Sequence, residues 1–471
     1  MAKTPTAIVA AWAILIIASC TFKSTAAEAI ESNNTSAAPA VKVINRAIYV
    51  SPTGNDKNKG LTPETAFRRA QKAANMAEPG DVVFFAAGDY EANTNGPIFA
   101  IRRSGEPSKP ILFTPTPGAK VVFHNNGAWE AIKIEGARHI EIRGFRIIGN
   151  AINVTPEEAK NEMSNLKNPR TCGNGIAIDH NPGTKTSPAH ITVRDCEVSD
   201  CSGGGISASH TDYLTIENNN VYRCAIWSPY ANSGISVYQP TEIDDSTAYK
   251  IIIRNNVCFE NYEKIPFFYS NKNDPSKRKV TDGNGIIIDD FSNSEAWGGS
   301  GKKQPYRGRT LVANNVVFAN GGSGIHSFKS SNVDIVHNYA ADNNRHPQLK
   351  DGQIFGNSSK NMRILNNIMI APAGKPATSG YKTEGILKDY NLYATLDDSA
   401  PKYDGEKLNN IVAVPGLELI GWDQGKRGYK TTPDSPLRRA GMPLADAVAD
   451  FFGKARNEAK PDIGPFVLVN P

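Results

Sequence analysis

The sequence predicts an all-β fold, a right-handed parallel β-helix with a helix-containing cap at its N-terminal end. Two observations predict it. Two short apolar motifs recur in a fixed order from about residue 130, and pairs of asparagines follow the second motif. Such a repeat is a better guide to the fold than length, because solenoids grow by adding coils. We therefore expect one domain within the 471 residues, with a long groove on its outer surface.

The first motif is a short strand that begins with glycine and isoleucine. Its copies begin at Gly175, Gly205, Gly234, Gly285 and Gly324. The second motif is another short strand, and its copies begin at His190, Tyr213, Lys250, Arg309, Asn332 and Asn361. In both motifs apolar residues alternate with variable ones, which is the period of a strand with one buried face. The shortest spacing, from His190 to Tyr213, fits one bare coil of three strands.

Asparagine pairs end the second strand at Asn255–Asn256, Asn314–Asn315 and Asn366–Asn367. Stacked asparagines can hydrogen-bond from coil to coil, and asparagine tolerates the tight-turn backbone of a corner. We therefore expect an asparagine stack at one corner of the coil. Cys201 and Cys224 are separated by the same bare-coil spacing, so they fall at the same place in neighbouring coils. They form either a stacked pair of buried thiols or a disulfide.

The chain divides into five predicted segments. They are an export signal at 1–27, a polar linker at 28–47, the N-terminal cap and first coils at 48–130, the catalytic coils of the β-helix at 131–390, and the C-terminal cap at 391–471. A helix is expected at Ala66–Ala77 in the N-terminal cap, because solenoids need a cover over the open end of the core.

The N-terminal segment predicts export. The apolar run Ile8–Ser19 is too short to span a membrane comfortably and follows a lysine, as in a signal peptide. Ile17–Cys20 resembles a bacterial lipobox, in which Cys20 would carry a lipid anchor, and ordinary cleavage near Ala27 is the alternative. Both predict a protein that is secreted, periplasmic or lipid-anchored at the bacterial envelope.

The residue that opens each second strand is predicted to point outward, so neighbouring coils should align these residues in one column. His190, Tyr213, Lys250 and Arg309 are then neighbours and candidate catalytic residues. A lysine beside Arg309 would be pushed toward its neutral form, because like charges disfavour protonation. A neutral lysine is suited to act as a general base. The alternative is a polar edge without a function.

The first strand predicts a parallel column. At its outer end stand Asp179, Ser209, Tyr238, Asp289 and Phe328, with His180, His210, Gln239, Asp290 and Lys329 one step on. The candidate substrate-binding residues are His326, Tyr238, His210, Lys329, Trp227 and Tyr230. Asp289 and Asp290 could bind Ca²⁺, which prefers carboxylate oxygens, but only if the chain bends after Ile288. A structural turn is the alternative, and no cofactor is otherwise indicated.

Two long insertions carry basic and aromatic residues near these columns. They are Tyr262–Gly283 and Ser292–Gly308. Basic residues attract carboxylates, and aromatic faces stack on sugar rings or pack under loops. The net charge of +5 is too small to predict binding to nucleic acid. We expect an acidic polymer as the partner, and a monomer.

Two clusters of residues resemble a known family. Ile48–Asp56 is similar to the start of many exported β-helical polysaccharide lyases, a pectate-lyase-like solenoid class. Trp227–Tyr230, Ser233–Ser236 and Asp282–Asp290 most resemble polysaccharide lyase family thirty-one, which contains alginate and glucuronan lyases. The resemblance implies a lysine base and a tyrosine acid, which Lys250 and Tyr213 would match. Arg309 or His190 replaces Tyr213 if the alignment slips by one coil.

The expected activity is cleavage of a uronic-acid-containing polysaccharide by β-elimination. The uronate carboxylate would be neutralised by Arg309, the basic loops or His326, and a base would then remove the C5 proton. Three alternatives remain open. They are a glycoside hydrolase that uses two carboxylates among Asp179, Asp289 and Asp290, a C5-epimerase, and a carbohydrate-binding solenoid without catalytic activity.

Overall fold

The computed structural model describes residues 45–294 and 304–468. The predicted export signal, Cys20 and most of the polar linker lie outside the described residues, as does the middle of the second insertion. Within the described residues, no helix is long and apolar enough to cross a membrane.

The described chain winds into coils of three parallel strands, which stack into three long sheets. Sheet 1 contains the first strand of each coil: Phe99–Ile101, Glu130–Glu135, Asn174–Asp179, Ile206–Ser209, Ile235–Tyr238, Ile286–Asp289, Ile325–Phe328, Ile354–Asn357 and Thr378–Tyr381. Sheet 2 contains the second: Ala47–Val50, Val82–Phe85, Ile111–Pro115, Arg138–Arg143, Ala189–Arg194, Asp212–Glu217, Tyr249–Arg254, Arg309–Ala313, Ser331–Val336, Lys360–Leu365 and Glu384–Asp389. Sheet 3 contains the third: Gly88–Glu91, Val121–His124, Arg146–Ile148, Glu197–Ser199, Asn220–Tyr222, Val257–Phe259, Val316–Phe318, Tyr339–Ala341, Ile368–Ala371, Leu392–Thr395 and Ile411–Val412. The predicted parallel β-helix is confirmed.

A short helix closes the N-terminal end of the coils. Helix α1 spans Ala70–Met76 and so begins later than predicted. The reason is that Phe67 extends to pair with Val50 in a parallel bridge, which keeps the chain out of helical geometry. Ala73 and Ala74 of α1 are buried in the main core, so the helix covers the first strands as expected of a cap.

An insertion between sheets 3 and 1 contains two further helices that the sequence pattern did not predict. Helix α2 spans Pro156–Glu162 and helix α3 spans Pro169–Cys172. Thr155 and Asn168 cap them, each accepting a hydrogen bond from the first turn. Cys172, the last residue of α3, lines the groove described below.

Stacks of identical residues fill the interior and its corners. On sheet 1, Ile176, Ile206 and Ile235 lie in register in successive coils and are fully buried. The predicted asparagine stack is confirmed and runs through Asn219, Asn256, Asn315, Asn338, Asn367, Asn391 and Asn410, with side-chain amides 3.0–3.3 Å from the next carbonyl. A second stack of Asn261, Asn320, Asn343 and Gln353 at the next corner was not predicted.

The buried cysteines are free thiols. Cys201 and Cys224 both lie inside the coil without exposure, and neither forms a disulfide. Burial in apolar surroundings raises the pKa of the neighbouring Cys258 thiol above its usual value, which keeps it protonated and unreactive. The stacked-thiol alternative is therefore the one the structure adopts.

The C-terminal region packs back on the coils, but mostly along their side. Trp422, Phe451 and Phe466 form a second apolar cluster with residues on the outer face of sheet 3. An antiparallel pair, Leu417–Ile420 and Gly428–Thr431, belongs to the same region. The C-terminal region therefore packs on the outer face of sheet 3, in addition to continuing the chain beyond the last coil.

A candidate carbohydrate-binding groove

A cavity of about 1030 Å³ lies over the outer face of sheet 1, and we call it the groove. Its floor is formed by outward side chains of successive strands, Ser207, Ser209, Ser236, Tyr238, Ile287, Asp289, His326, Phe328, Phe355, Asn357, Ser379 and Tyr381. Its wall is formed by residues of several loops, including Tyr230, Phe267, Tyr269, Lys279, Asp282, Lys350 and Asp351. The groove therefore crosses six adjacent strands.

The floor follows from the two-residue period of the strands. Ser209, Tyr238, Asp289 and Phe328 are register partners in successive coils, so their side chains form one column. The predicted outer column of the first strand is confirmed. Strands in a sheet are about 4.8 Å apart, so the six floor strands span about 24 Å.

His326 is the most buried polar group of the floor. It is 7% exposed, stacks on Phe355 with ring centroids 4.8 Å apart, and its Nε2 has no hydrogen-bond partner among the described residues. Burial lowers the pKa of His326 to about 3. The ring is thus neutral near pH 7, so the expectation that it supplies positive charge to a carboxylate is wrong. It can still donate or accept a hydrogen bond.

Several other predicted substrate-binding residues lie at the groove. Tyr238 and Tyr230 line it directly. The His210 ring lies 6.3 Å from the Tyr238 ring at a steep angle. The Lys329 ammonium lies 4.9 Å from the centroid of Phe328, at the edge of the floor. These placements agree with the prediction, while the roles stay predictions.

Trp227 does not line the groove. It is 6% exposed, and its indole Nε1 donates to the carbonyl of Ala151. It packs in a small apolar cluster with Val154 and Ala159, beside helix α2. The sequence pattern could not distinguish a packing role of Trp227 from stacking on a sugar. The insertion that buries Trp227 is distant from it in the sequence, by the length of several coils.

The groove wall also carries acidic groups that the sequence reasoning did not select. Burial raises the pKa of Asp282 on the wall to about 7. Glu263 is fully buried and does not line the groove, and burial together with Asp282 raises its pKa well above the usual value. The pKa of Asp351 is also raised by burial. Lys279 and Lys350 are exposed on the same wall. The wall therefore carries two lysines, while the raised pKa values of Asp282 and Asp351 favour their neutral forms.

The corner between sheets 1 and 2 brings together three metal-ligating residue types. Asp179, His180 and His210 place one ligand atom each within 4.8 Å of one another, and this group is the one such group within residues 45–294 and 304–468. Asp179 Oδ1 lies 2.8 Å from the Nδ1 atom of each histidine. The two histidines lower the pKa of Asp179 despite its burial, so the carboxyl is ionised.

Asp289 and Asp290 fit a calcium site poorly. The bend after Ile288 exists, since Asp290 has a left-handed backbone with φ 48°. Asp290 is fully buried, however, and its two carboxylate oxygens accept hydrogen bonds from Gln239 and Ser294. This arrangement is the structural turn that was the alternative, so no step is assigned to calcium.

The predicted column on sheet 2 is correct only in its first part. His139 and His190 stack with ring centroids 4.4 Å apart, and His190 and Tyr213 stack at 4.5 Å. All three have left-handed backbones. The Lys250 Nζ follows at 4.9 Å from the Tyr213 ring centroid, so the predicted contact between these two residues is confirmed, and the column breaks between Lys250 and Arg309.

Lys250 is buried, contrary to the prediction. Its side chain is 0% exposed, and its Nζ forms ion pairs with Asp212 at 2.6 Å and Asp244 at 3.1 Å. Burial alone would lower the pKa of Lys250, but hydrogen bonds and charge from these two carboxylates outweigh burial and raise it. The premise that a neighbouring arginine makes Lys250 neutral is therefore wrong.

A bulge explains why the column breaks. Arg309 is the register partner of Tyr249, and Thr310 is the partner of Ile251, so Lys250 is the extra residue between them. Arg309 instead pairs with Asp334 at 2.6 Å. The sequence prediction aligned the strands by their apolar positions, and such an alignment cannot reveal an inserted residue.

Comparison with known proteins agrees with the coil architecture. Residues 48–361 match the family described as "Pel9A-like, right handed beta helix region". The chain belongs to this family. The predicted right-handed winding is thereby confirmed, whereas the finer resemblance to polysaccharide lyase family thirty-one is not. No curated protein sequence matches the chain.

Three solved structures are similar to this Pel9A-like chain at low sequence identity. The crystal structure of pectate lyase Pel9A is 14% identical, with a TM-score of 0.49 over 89% of this chain and 96% of that one. A GH136 lacto-N-biosidase from Eubacterium ramulus is 15% identical, with a TM-score of 0.42 over 74% and 56%. The A-module of the Azotobacter vinelandii mannuronan C-5 epimerase AlgE4 is 15% identical, with a TM-score of 0.34 over 74% and 91%. A shared fold does not fix function, so function has to be argued from the groove.

Proposed function

We propose that this protein is an exported enzyme that binds a uronic-acid-containing polysaccharide along the groove and cleaves it by β-elimination. The observation that carries the proposal is the groove itself. It places Tyr238 and His326 on one floor, with Lys329 at the edge and Lys279 and Lys350 on the wall. Concave sites of this size with aromatic linings and a few polar groups are typical of ligand sites.

The length and lining of the groove suit a polymer. The floor spans about 24 Å across six strands, which is room for several sugar rings. Phe355, Tyr230 and Tyr381 offer aromatic faces, and serine and asparagine side chains between them offer hydrogen bonds to hydroxyl groups. His326, neutral and without a described partner, can hydrogen-bond a sugar hydroxyl as well.

The charges favour an acidic sugar. Lys279 and Lys350 would neutralise uronate carboxylates, which makes the proton on C5 easier to remove. Asp282 and Asp351, which line the wall, would repel a polyanion if both were fully ionised. Because the pKa of each is raised, the wall repels less than its composition indicates.

The chemistry assigns Tyr238 and Lys329 to proton transfer. Lys329 would take the C5 proton as the general base, the bond between C4 and O4 would break, and Tyr238 would protonate the leaving oxygen. The product has a double bond between C4 and C5 at its new end. Tyr238 and Phe328, which precedes Lys329, lie two strand spacings apart, about 10 Å, so the two side chains can bracket one sugar.

Two alternatives have specific support. The Tyr213 and Lys250 pair stays a hypothesis for the same reaction, although Lys250 is buried and ion-paired. A glycoside hydrolase is supported by Asp282, whose pKa of about 7 suits a general acid, with Asp289 on the floor as a second carboxylate.

A substrate screen tests the proposal. Purified protein is incubated with alginate, polyglucuronate and pectate, and ultraviolet absorbance and reducing ends are followed together. We expect both to rise on one polymer, because elimination creates a conjugated uronate. Lys329→Ala should lower the rate about 10²–10⁴-fold. Lys382→Ala is the matched control, since Lys382 has the same left-handed backbone and lies over Tyr381 in a later coil.

The other outcomes of the screen overturn the proposal in different ways. Reducing ends without absorbance identify a hydrolase. Altered sugar configuration with unchanged chain length identifies an epimerase. Binding of oligosaccharides without any turnover identifies a non-catalytic protein. Export is tested separately by cell fractionation and by mass spectrometry of the mature N-terminus, which would show lipid on Cys20, cleavage near Ala27, or neither.

A further inference from the structure

The corner formed by Asp179, His180 and His210 has a geometry that hydrogen bonding alone does not explain. Asp179 ends a strand of sheet 1 and His180 follows it, while His210 holds the same corner position in the next coil. Asp179 Oδ1 lies 2.8 Å from each histidine Nδ1, and the two Nδ1 atoms lie 3.2 Å apart. Three ligand atoms thus converge on one point.

A single carboxylate oxygen is crowded at this corner. Asp179 Oδ1 faces the backbone N–H of His180 at 2.7 Å in addition to both Nδ1 atoms. If both Nδ1 atoms were protonated, their hydrogens would crowd against each other at the same acceptor. Two ligand atoms bound to one zinc ion at about 2.0–2.2 Å are about 2.8–3.6 Å apart for angles between square and tetrahedral. The observed separations fall in that range.

We propose that Asp179, His180 and His210 bind a first-row divalent transition metal ion such as Zn²⁺. Two imidazoles and a carboxylate suit such ions, whereas Ca²⁺ prefers a larger set of oxygen ligands. The side chains of Asp179, His180 and His210 are 40%, 42% and 17% exposed, so an ion can reach them.

Three protein ligands leave at least one coordination position open. The His210 ring adjoins Tyr238, which lines the groove, so the ion would lie beside the groove. The ion would take an oxygen atom of a bound ligand there, in the manner of a Lewis acid. This last step rests on the proposed function, while metal binding itself does not.

Calorimetry with ZnCl₂ on chelator-treated protein tests the site directly. We expect one zinc ion per chain that CaCl₂ does not displace. His180→Ala and His210→Asn should each weaken zinc binding at least about 100-fold, because loss of an outer-shell partner alone costs about 10–100-fold. Asparagine is chosen at position 210 because it tolerates the left-handed backbone there, with φ 53°.

His124→Ala is the matched control, since His124 pairs with Asp89 at 2.7 Å without a second histidine. Its zinc affinity should equal that of the wild type. Absence of zinc binding in the wild type, or equal loss in His124→Ala, overturns the proposal. If the site variants do not fold, protection of His180 and His210 from diethyl pyrocarbonate by zinc in the wild type decides the question. Zinc binding without polysaccharide cleavage would refute the proposed function alone.

Discussion

At the scale of single residues, Lys250 shows how burial changes the role of a side chain. Its ammonium group lies between Asp212 and Asp244, and Tyr306 donates a further hydrogen bond to Asp212 at 2.6 Å. Through these two ion pairs, Lys250 links the loop that contains Asp244 to the strand of sheet 2 that contains Asp212. The same side chain on the surface would have been a candidate base, as the sequence suggested.

We predict that Lys250→Met lowers the free energy of unfolding by about 3–5 kcal/mol, because it removes the ammonium partner of the buried Asp212 carboxyl group. Chemical denaturation at pH 7 measures this. Since the pKa of Lys250 is raised in the folded state, its stabilising contribution is fully present below the unfolded value of 10.5 and is lost as the pH rises through the higher folded value. Lys382→Met, at an exposed position, should cost less than about 0.5 kcal/mol. Equal costs would contradict the buried ion pair.

His326 gives a second prediction, with the opposite pH dependence. Its folded pKa of about 3 lies below the unfolded value of 6.5, so folding is favoured above pH 6.5 and progressively disfavoured as the pH falls. Between pH 6.5 and 5 the wild type should lose about 1.6 kcal/mol more stability than His326→Phe. Urea unfolding at the two pH values measures the difference. Identical pH slopes in both proteins would show that His326 is not buried and neutral.

At the scale of elements, the asparagine stack sets the corner between sheets 2 and 3. Asn315 accepts hydrogen bonds from the backbone and side-chain amides of Asn256, and it donates to Ile253 and Asn338. The residue before it, Asn314, has a left-handed backbone with φ 56°. One asparagine thus turns the chain and the next links neighbouring coils, which is why the pairs recur.

Asn315→Ala should therefore destabilise the protein by at least about 3 kcal/mol, because it leaves several buried polar groups without partners at about 1–3 kcal/mol each. Differential scanning calorimetry or denaturant unfolding would measure this loss. Asn361→Gly serves as the control, since Asn361 is exposed and glycine accepts its left-handed backbone. A loss in Asn315→Ala no larger than in the control would argue against the stack as a stabilising element.

The elements also show what sequence could and could not predict. Strand order, the buried isoleucines and the asparagine corner follow from local periodicity and could be predicted. The bulge at Lys250 could not, because an inserted residue leaves the apolar pattern of Ile251 and Ile253 intact. The burial of Trp227 depends on helix α2, which is distant in sequence. The outer column of sheet 1 was predicted correctly because no bulge interrupts it.

At the scale of the whole molecule, each face of the coil has a different environment. From Val257 onward, the outer face of sheet 3 is covered by the C-terminal region, which packs Trp422 and Phe466 against it. Sheet 2 carries ion-paired networks such as Arg309 with Asp334. The outer face of sheet 1 is left with the large cavity between loops. Because the outer faces of the three sheets differ in this way, we place binding and chemistry in the groove rather than at the Lys250 corner.

A comparison of two tyrosine variants tests this placement most directly. Tyr238→Phe removes one hydroxyl from the groove floor, and Tyr213→Phe removes one hydroxyl that donates to Asp244 at 2.9 Å beside Lys250. Initial rates are measured by ultraviolet absorbance on the polymer identified by the screen, with both variants checked for folding. We expect that Tyr238→Phe loses about 10²–10⁴-fold in rate while Tyr213→Phe stays within about threefold of the wild type. The reverse pattern would contradict the groove as the catalytic site and return the chemistry to Tyr213 and Lys250.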